Sequence, residues 1–334
     1  MVYFLIENPT EKQKFDFLAK SKLISLQLYF PDRKCNSMID IVNFCNKCID
    51  DTNNNDILIC WYDFIGVILS ILCRVKRKKR FIIILNILLK DKKTIKNKIV
   101  KILYKHALTF SNVEATVTST MYGEYLNQML GIKRNYTLLH DIYHEDYSAE
   151  FLGSVMDNSV FCGGRNGRNW DLLFKVAKEL PEVSFNCVLT KKTFEHYQNR
   201  FSNNINAKYD IPENEFIQLL CESQLVSMPL DTNAPAGLIA FYQAAANGKL
   251  IITTDTPTTV EYFSNMRGVL CDNDIEEWKD AIRYYLTNKL ERERIADSFR
   301  KFLHSECSEI YYEKTLATLV NNIMTKGEKH DFKN

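Results

Sequence analysis

The sequence predicts an α/β protein built from two parallel-sheet domains in series. Three observations carry this. Short apolar runs alternate with longer amphipathic ones through most of the 334 residues, the pattern of strands joined by crossover helices. The alternation pauses in a polar, acidic stretch, His144 to Asn158, and restarts at Ser159-Val160-Phe161-Cys162. Between Leu225 and Phe263 two strand-loop-helix units follow each other directly, each with small or hydroxyl-bearing residues where loop meets helix. In a parallel sheet such loops gather at the carboxyl edge, where helix N-termini offer N–H groups to an anion.

In the first half, Val2 to Ile6 and Leu23 to Phe30 read as strands and Met38 to Ile49 as a helix. Ile57 to Trp61 is the next strand, Phe64 to Cys73 a helix, Phe81 to Leu85 a strand and Lys93 to Leu108 a helix. Ala115 to Thr118 is a strand. Ser119 offers an N-cap oxygen to the helix Tyr122 to Leu130, which Gly131 stops, and Tyr136 to Leu139 closes the series.

In the second half, helices Trp170 to Leu180, Thr193 to Asn199 and Glu213 to Ser223 alternate with strands Phe185 to Leu189 and Ile205 to Tyr209. Leu225 to Leu230 is a buried strand ending at a turn cluster, and Leu238 to Ala246 a run of helix formers stopped by Asn247-Gly248. Leu250 to Thr254 is a strand, and Asp255-Thr256-Pro257 turns into a helix reaching Phe263. Trp278 to Leu286, Glu291 to Leu303 and Tyr311 to Met324 are amphipathic helices, and the polar tail from Lys326 is expected to be unstructured. The expected division is a domain over residues 1–150, a second over 151–310, a last helix over 311–325 and a tail over 326–334.

A hydrophobic content of 46% suffices for two cores, and a net charge of +2 excludes little. Ten cysteines without a secretory N-terminal run point to a reducing, cytoplasmic setting with free thiols. Cys45 and Cys48 form a lone CxxC with no second pair at zinc spacing, so no metal site is expected. Ile57 to Cys73 is apolar over about 17 residues, the lower limit for a bilayer span. Asp63 and Gly66 interrupt it, which fits a strand, a turn and an apolar helix better. Behind that helix come Arg74, Lys76, Arg77, Lys78, Lys79 and Arg80, then Lys90, Lys92, Lys93, Lys96, Lys98, Lys101 and Lys105. Basic residues beside apolar surface fit docking on an anionic membrane leaflet, at about 1 kcal/mol each. A solvated basic helix is the competing account, and a nucleic-acid patch lacks interleaved aromatics.

Gly163-Gly164-Arg165-Asn166-Gly167-Arg168 follows the first strand of the second half. Glycines permit close backbone approach, and two guanidiniums three residues apart suit a diphosphate, whose charge grows as a nucleotide departs. Two solvated arginines on a turn would be the plain alternative. Downstream stand Pro229-Leu230, Ala236-Gly237-Leu238, Gln243-Ala244-Ala245-Ala246-Asn247-Gly248 and Ile251-Ile252-Thr253-Thr254-Asp255-Thr256-Pro257. In this order they resemble the C-terminal signature of family-4-type glycosyltransferases of the GT-B fold, bacterial polysaccharide members above all.

The resemblance implies two Rossmann-like domains facing a central cleft, with the last helix crossing back to the first domain. It implies that Gly164, Arg165 and Arg168 meet the donor phosphates, with Ala236, Gly237 and Leu238 at a helix start. Lys191 stands where a further hydroxyl or basic group is common, though an exposed loop lysine accounts for it equally. Asp210-Ile211 lies where the nucleobase is packed. Gln243 replaces a Glu that accepts from the ribose hydroxyls, leaving an uncharged acceptor. In the first domain the pattern is looser. Ile6-Glu7-Asn8-Pro9 lacks the usual glycine loop, and Asn86 stands where a His is common, as a hydrogen-bonding substitute. His140-Asp141 would face the cleft, to bind sugar hydroxyls or to cap a strand end. Glu261 reads as a solvated helix carboxylate, and Asp272-Asn273-Asp274 has Asp-x-Asp spacing but sits late, before a helix.

The implied activity is transfer of a sugar from a UDP- or GDP-sugar to a lipid-linked glycan, with retention and without metal or cofactor, at the inner face of the cell membrane. The leaving phosphate itself would accept the acceptor's proton. Gln243, the absent glycine loop and the absent His leave open a non-catalytic glycosyltransferase-like subunit that supports an active partner. A GT-B sugar epimerase would need an acid/base cluster that the first domain does not offer.

Overall fold

The computed structural model describes residues 1–148, 151 and 153–331. It divides into two compact units, one of Met1–Ile142 with the chain from Glu309 onward, the other of Tyr143–Ser308.

The first unit runs β1 (Val2–Leu5), α1 (Asp16–Ala19), β2 (Gln27–Tyr29), α2 (Met38–Asp51), β3 (Ile57–Cys60), α3 (Asp63–Val75), β4 (Phe81–Ile84), α4 (Ile95–Leu108), β5 (Val113–Val117), α5 (Thr120–Leu130) and β6 (Thr137–Leu138). All strand pairs are parallel, in the order β2-β1-β3-β4-β5-β6, with Leu5 opposite Cys60 and Cys60 opposite Ile84. The β-branched runs Ile57–Cys60 and Ile82–Ile84 are buried throughout, as a sheet covered by helices on both faces requires. Helix ends follow local chemistry. Ser37 and Asp40 form a capping box on α2, Ser119 caps α5, and Gly131 ends α5 at φ 61°.

The second unit runs β7 (Ser159–Gly163), α6 (Trp170–Glu179), β8 (Ser184–Leu189), α7 (Lys191–Tyr197), β9 (Ile205–Tyr209), α8 (Glu213–Glu222), β10 (Leu225–Met228), α9 (Leu238–Ala246), β11 (Ile251–Thr254), α10 (Thr259–Phe263), β12 (Val269–Cys271), α11 (Ile275–Thr287) and α12 (Lys289–Glu306). Its parallel sheet is ordered β12-β11-β10-β7-β8-β9. That is the doubly wound Rossmann order, in which the chain reverses direction between β7 and β10. The reversal opens a crevice at the carboxyl ends of those two strands.

The last helix, α13 (Glu309–Asp331), belongs to the first unit. It lays Tyr312, Leu316, Val320 and Ile323 on a core with Phe4, Ile6, Leu139 and Ile142. The polar tail expected to lack structure is helical as far as Asp331, and residues 332–334 lie outside the described ones. The acidic stretch where the alternation pauses falls within the second unit. Tyr143 pairs with Ser308, and its N–H donates to the Cys307 carbonyl at 2.7 Å. Three elements differ from expectation. The strand read over Leu23 to Phe30 shrinks to Gln27–Tyr29 at the sheet edge, β12 was not foreseen, and Pro9–Phe15 is a 3-10 helix leading into α1. Asn8 opens that helix by accepting from Thr10 N, with Pro9 in the first turn where its missing N–H costs nothing.

The ten cysteines form no disulfide, and nine are buried. Burial pushes the Cys48 thiol up to about 12. Among the described residues no group of His, Cys, Asp or Glu could hold a metal ion, and no helix is long and apolar enough to cross a membrane.

Candidate functional site

β7 ends at Gly163 and passes the chain to a loop that glycine alone lets close. Gly164 and Gly167 have φ of 133° and 68°. A β-carbon at Gly167 would stand 2.6 Å from Thr232 Cγ2 and 3.0 Å from the Ala236 β-carbon, so this loop presses on the one that follows β10. Backbone hydrogen bonds join the two. Asn169 N donates to Pro229 O at 2.8 Å, and Asp231 N to Gly167 O at 3.1 Å. The loops flank the reversal point, so one rigid surface lines the crevice.

The two arginines of this loop part company. Arg165 is exposed and makes no hydrogen bond or ion pair among the described residues. Arg168, expected beside it as a second bracketing cation, is instead buried. Its Nε donates to Gly163 O at 2.9 Å and its Nη1 to Asn166 O at 3.0 Å. The guanidinium packs under Gly164, and Nη1 lies 3.2 Å from where a β-carbon on Gly237 would be. Spacing in a sequence cannot tell which way a loop side chain turns, and here the loop wraps around the second arginine. Burial pulls the Arg168 pKa below the ordinary value, while Asp231 pulls it back. The two carbonyl groups accept from it without neutralising its charge, and such a cation favours an anion nearby.

Gly237 caps α9 at φ 85° with no side-chain hydrogen bond to the first turn. The starts of α6 and α10 are closed. Asn169 accepts from Leu172 N at α6, and Thr256 and Thr259 bond each other's backbone N–H at α10. Of the two tandem units, then, only the first leaves its helix start open to an anion. Ala236, Gly237 and Leu238 form that start, beside Arg168.

Lys191 is exposed at the first position of α7, and its backbone N–H donates to Asp210 Oδ2 at 3.2 Å. Asp210 sits at φ 47°, so it stitches the loops after β8 and β9, with Ile211 half-buried behind it. Gln243 is buried, and its Nε2 donates to Glu213 Oε1 at 3.0 Å. Both line a cavity of about 680 Å³ together with Tyr147 and Phe151. Sequence reading passed over Glu213, whose only signal is an acid in the first turn of a helix. In the Asp272-Asn273-Asp274 stretch, Asp274 caps α11 through Glu277 N, and Asn273 Oδ1 accepts from Thr254 and Asn169, so the stretch serves structure.

In the first unit a second cavity, about 640 Å³, lies at the carboxyl edge and is lined by Trp61, Tyr62, Asp63, Asn86, Lys96 and Asp141 among others. Asn86 is the fixed centre of a chain: Thr116 Oγ1 donates to its Oδ1 at 2.9 Å, and its Nδ2 donates to Asp141 Oδ1 at 2.8 Å. Burial pushes the Asp141 carboxyl up to about 6 against that hydrogen bond. His140, expected to face the cleft with Asp141, is buried at 5% exposure just beyond the end of β6. Asp63, which sequence reading used only as a turn signal, accepts from Phe64 N and Leu88 N at 2.8 Å and from Tyr104 Oη at 2.7 Å.

The basic face needs one correction. Arg80 is buried, donating to Thr52 Oγ1, Asn54 Oδ1 and the Ile49 and Thr52 carbonyls around the end of α2. Arg74, Lys76, Arg77, Lys78 and Lys79 are exposed. On α4, Ile95, Ile99 and Ile102 are 80%, 56% and 54% exposed, an apolar stripe at helical spacing.

Residues 165–319 match the pattern of a family described as glycosyl transferase-like. No curated protein matches the chain in sequence. Among solved structures, HepE of Anabaena with UDP and glucose aligns at a TM-score of 0.70 and 13% identity, over 96% of this chain and 99% of that one. Sucrose-phosphate synthase from Thermosynechococcus elongatus aligns at 0.74 and 11%, over 97% and 99%. WaaG, a glycosyltransferase involved in lipopolysaccharide biosynthesis, aligns at 0.64 and 11%, over 96% and 99%. At such identities the likeness is one of fold, and the fold is GT-B.

Proposed function

We propose that this GT-B-fold chain, whose second unit carries a glycosyl transferase-like pattern, moves a sugar from a nucleotide-sugar donor to a glycan acceptor. The observation that carries the reading is the crevice after β7 and β10. There a buried guanidinium with only carbonyl partners stands beside an uncapped helix start and three glycines at positive φ. Such a surface suits a diphosphate, whose oxygens gain charge as the sugar leaves. Arg165, Arg168 and the α9 N–H groups would stabilise that charge where it grows, without a divalent cation.

The transfer is assigned to the front face. The sugar C1–O bond to phosphate breaks, the acceptor oxygen bonds C1 on the same side, and the acceptor proton passes to the departing phosphate oxygen. Configuration is then retained, and no protein base is required. We assign the acceptor to the first unit's cavity, where Trp61 and Tyr62 offer apolar faces and Asp141 an acceptor for sugar hydroxyls. The exposed stripe of α4 and the lysines around it support docking on an anionic membrane surface, where a lipid-linked glycan would be presented.

The test is binding of UDP and GDP, read as thermal shift and by calorimetry, to wild type and to Arg165→Ala. Arg165 is exposed and bonded to nothing among the described residues, so its removal leaves the fold intact. Loss of one charge-assisted contact should weaken binding roughly tenfold or more. Unchanged affinity would remove Arg165 from the phosphate site.

A further inference from the structure

We infer that Glu213 supplies the carboxylate for the donor's ribose hydroxyls and that Gln243 is the residue that holds it in place. This rests on the nucleotide-sugar reading above. The buried amide of Gln243 donates through Nε2 to Glu213 Oε1 at 3.0 Å. Only an amide, or some other donor, serves there. A carboxylate at 243 would stand against that of Glu213 at the same distance, and like charges so close force one group to take a proton. Gln243 therefore presents a donor to Glu213 where a second carboxylate would repel it.

Placement supports the assignment. Glu213 is the exposed first residue of α8 and directly follows Asp210-Ile211-Pro212 at the carboxyl end of β9, on the same sheet edge as the phosphate loops. Its Oε2 accepts no hydrogen bond among the described residues, nor does the Gln243 Oε1. A ribose presents two adjacent hydroxyl donors, and this pair presents two acceptors tied together by one hydrogen bond. Both residues line the same cavity.

The full-length protein is titrated with UDP against 2′-deoxy-UDP and with GDP against 2′-deoxy-GDP. Wild type should bind its preferred ribonucleotide roughly tenfold or more tighter than the deoxy form, the worth of a hydrogen bond to a charged group. In Glu213→Gln that ratio should fall towards one, while inorganic pyrophosphate binds both proteins alike. Gln243→Glu should weaken the ribonucleotide, and Glu213→Gln combined with Gln243→Glu, which exchanges the two groups, should recover it. An unchanged ribose preference in Glu213→Gln, or tighter binding in Gln243→Glu alone, would overturn this assignment and leave nucleotide binding standing. Failure of wild type to bind any nucleoside diphosphate would remove the nucleotide reading and this inference with it.

Discussion

Two buried arginines with opposite surroundings show how single side chains divide between structure and chemistry. Arg80 finds two side-chain oxygens as well as carbonyls, and it closes the end of α2. Arg168 finds two carbonyls and keeps its charge directed at an open helix start. Asp141 is the acidic counterpart. Its folded pKa is raised from the model-compound value of 3.8 to about 6 by burial, with the Asn86 hydrogen bond opposing. The folded state thus holds this proton more tightly than the unfolded chain does. The stability it contributes is whole below pH 3.8 and is lost as pH climbs through about 6. Asp141→Asn should therefore melt higher than wild type at pH 7.5 and no differently at pH 4, in paired thermal scans. A melting difference equal at both pH values would contradict this.

At the scale of elements, apolar periodicity and caps told most of the story in advance. The strand read at Ile205 to Tyr209 and the helix at Leu238 to Ala246 are found with those limits. Ser119 and Gly131 bound α5 as their chemistry demands. What was missed lacks such signals. Pro9–Phe15 has no apolar period, and β12 is a three-residue edge strand held by pairing with β11. The candidate site was legible as loops and glycines, but the inward turn of Arg168 and the Glu213–Gln243 pair depend on tertiary packing. The α4 stripe makes its own prediction. On vesicles containing phosphatidylglycerol, replacing Arg77, Lys78 and Lys79 by Ser should lower flotation about fivefold per residue, at ~1 kcal/mol each. Ile95→Ser with Ile99→Ser should lower it as well. Flotation unchanged in both variants would leave α4 without a membrane role.

For the molecule as a whole, the last helix decides whether the first unit stands. Tyr312, Leu316, Val320 and Ile323 are each at most 3% exposed in its core. Removing four such side chains forfeits roughly 6–12 kcal/mol at 1.5–3 kcal/mol each, as much as a domain's net stability. A chain ending at Ser308 should therefore lose the first unit's cooperative unfolding transition in calorimetry. A transition unchanged from the full chain would contradict the packing seen here.

Titration calorimetry of the wild-type protein with UDP, GDP and their sugar conjugates asks whether the crevice of the second unit holds a nucleoside diphosphate. Saturable one-to-one binding of at least one of them, displaced by excess inorganic pyrophosphate, is expected. Absence of binding heat for all of them, or binding that pyrophosphate leaves untouched, would contradict it.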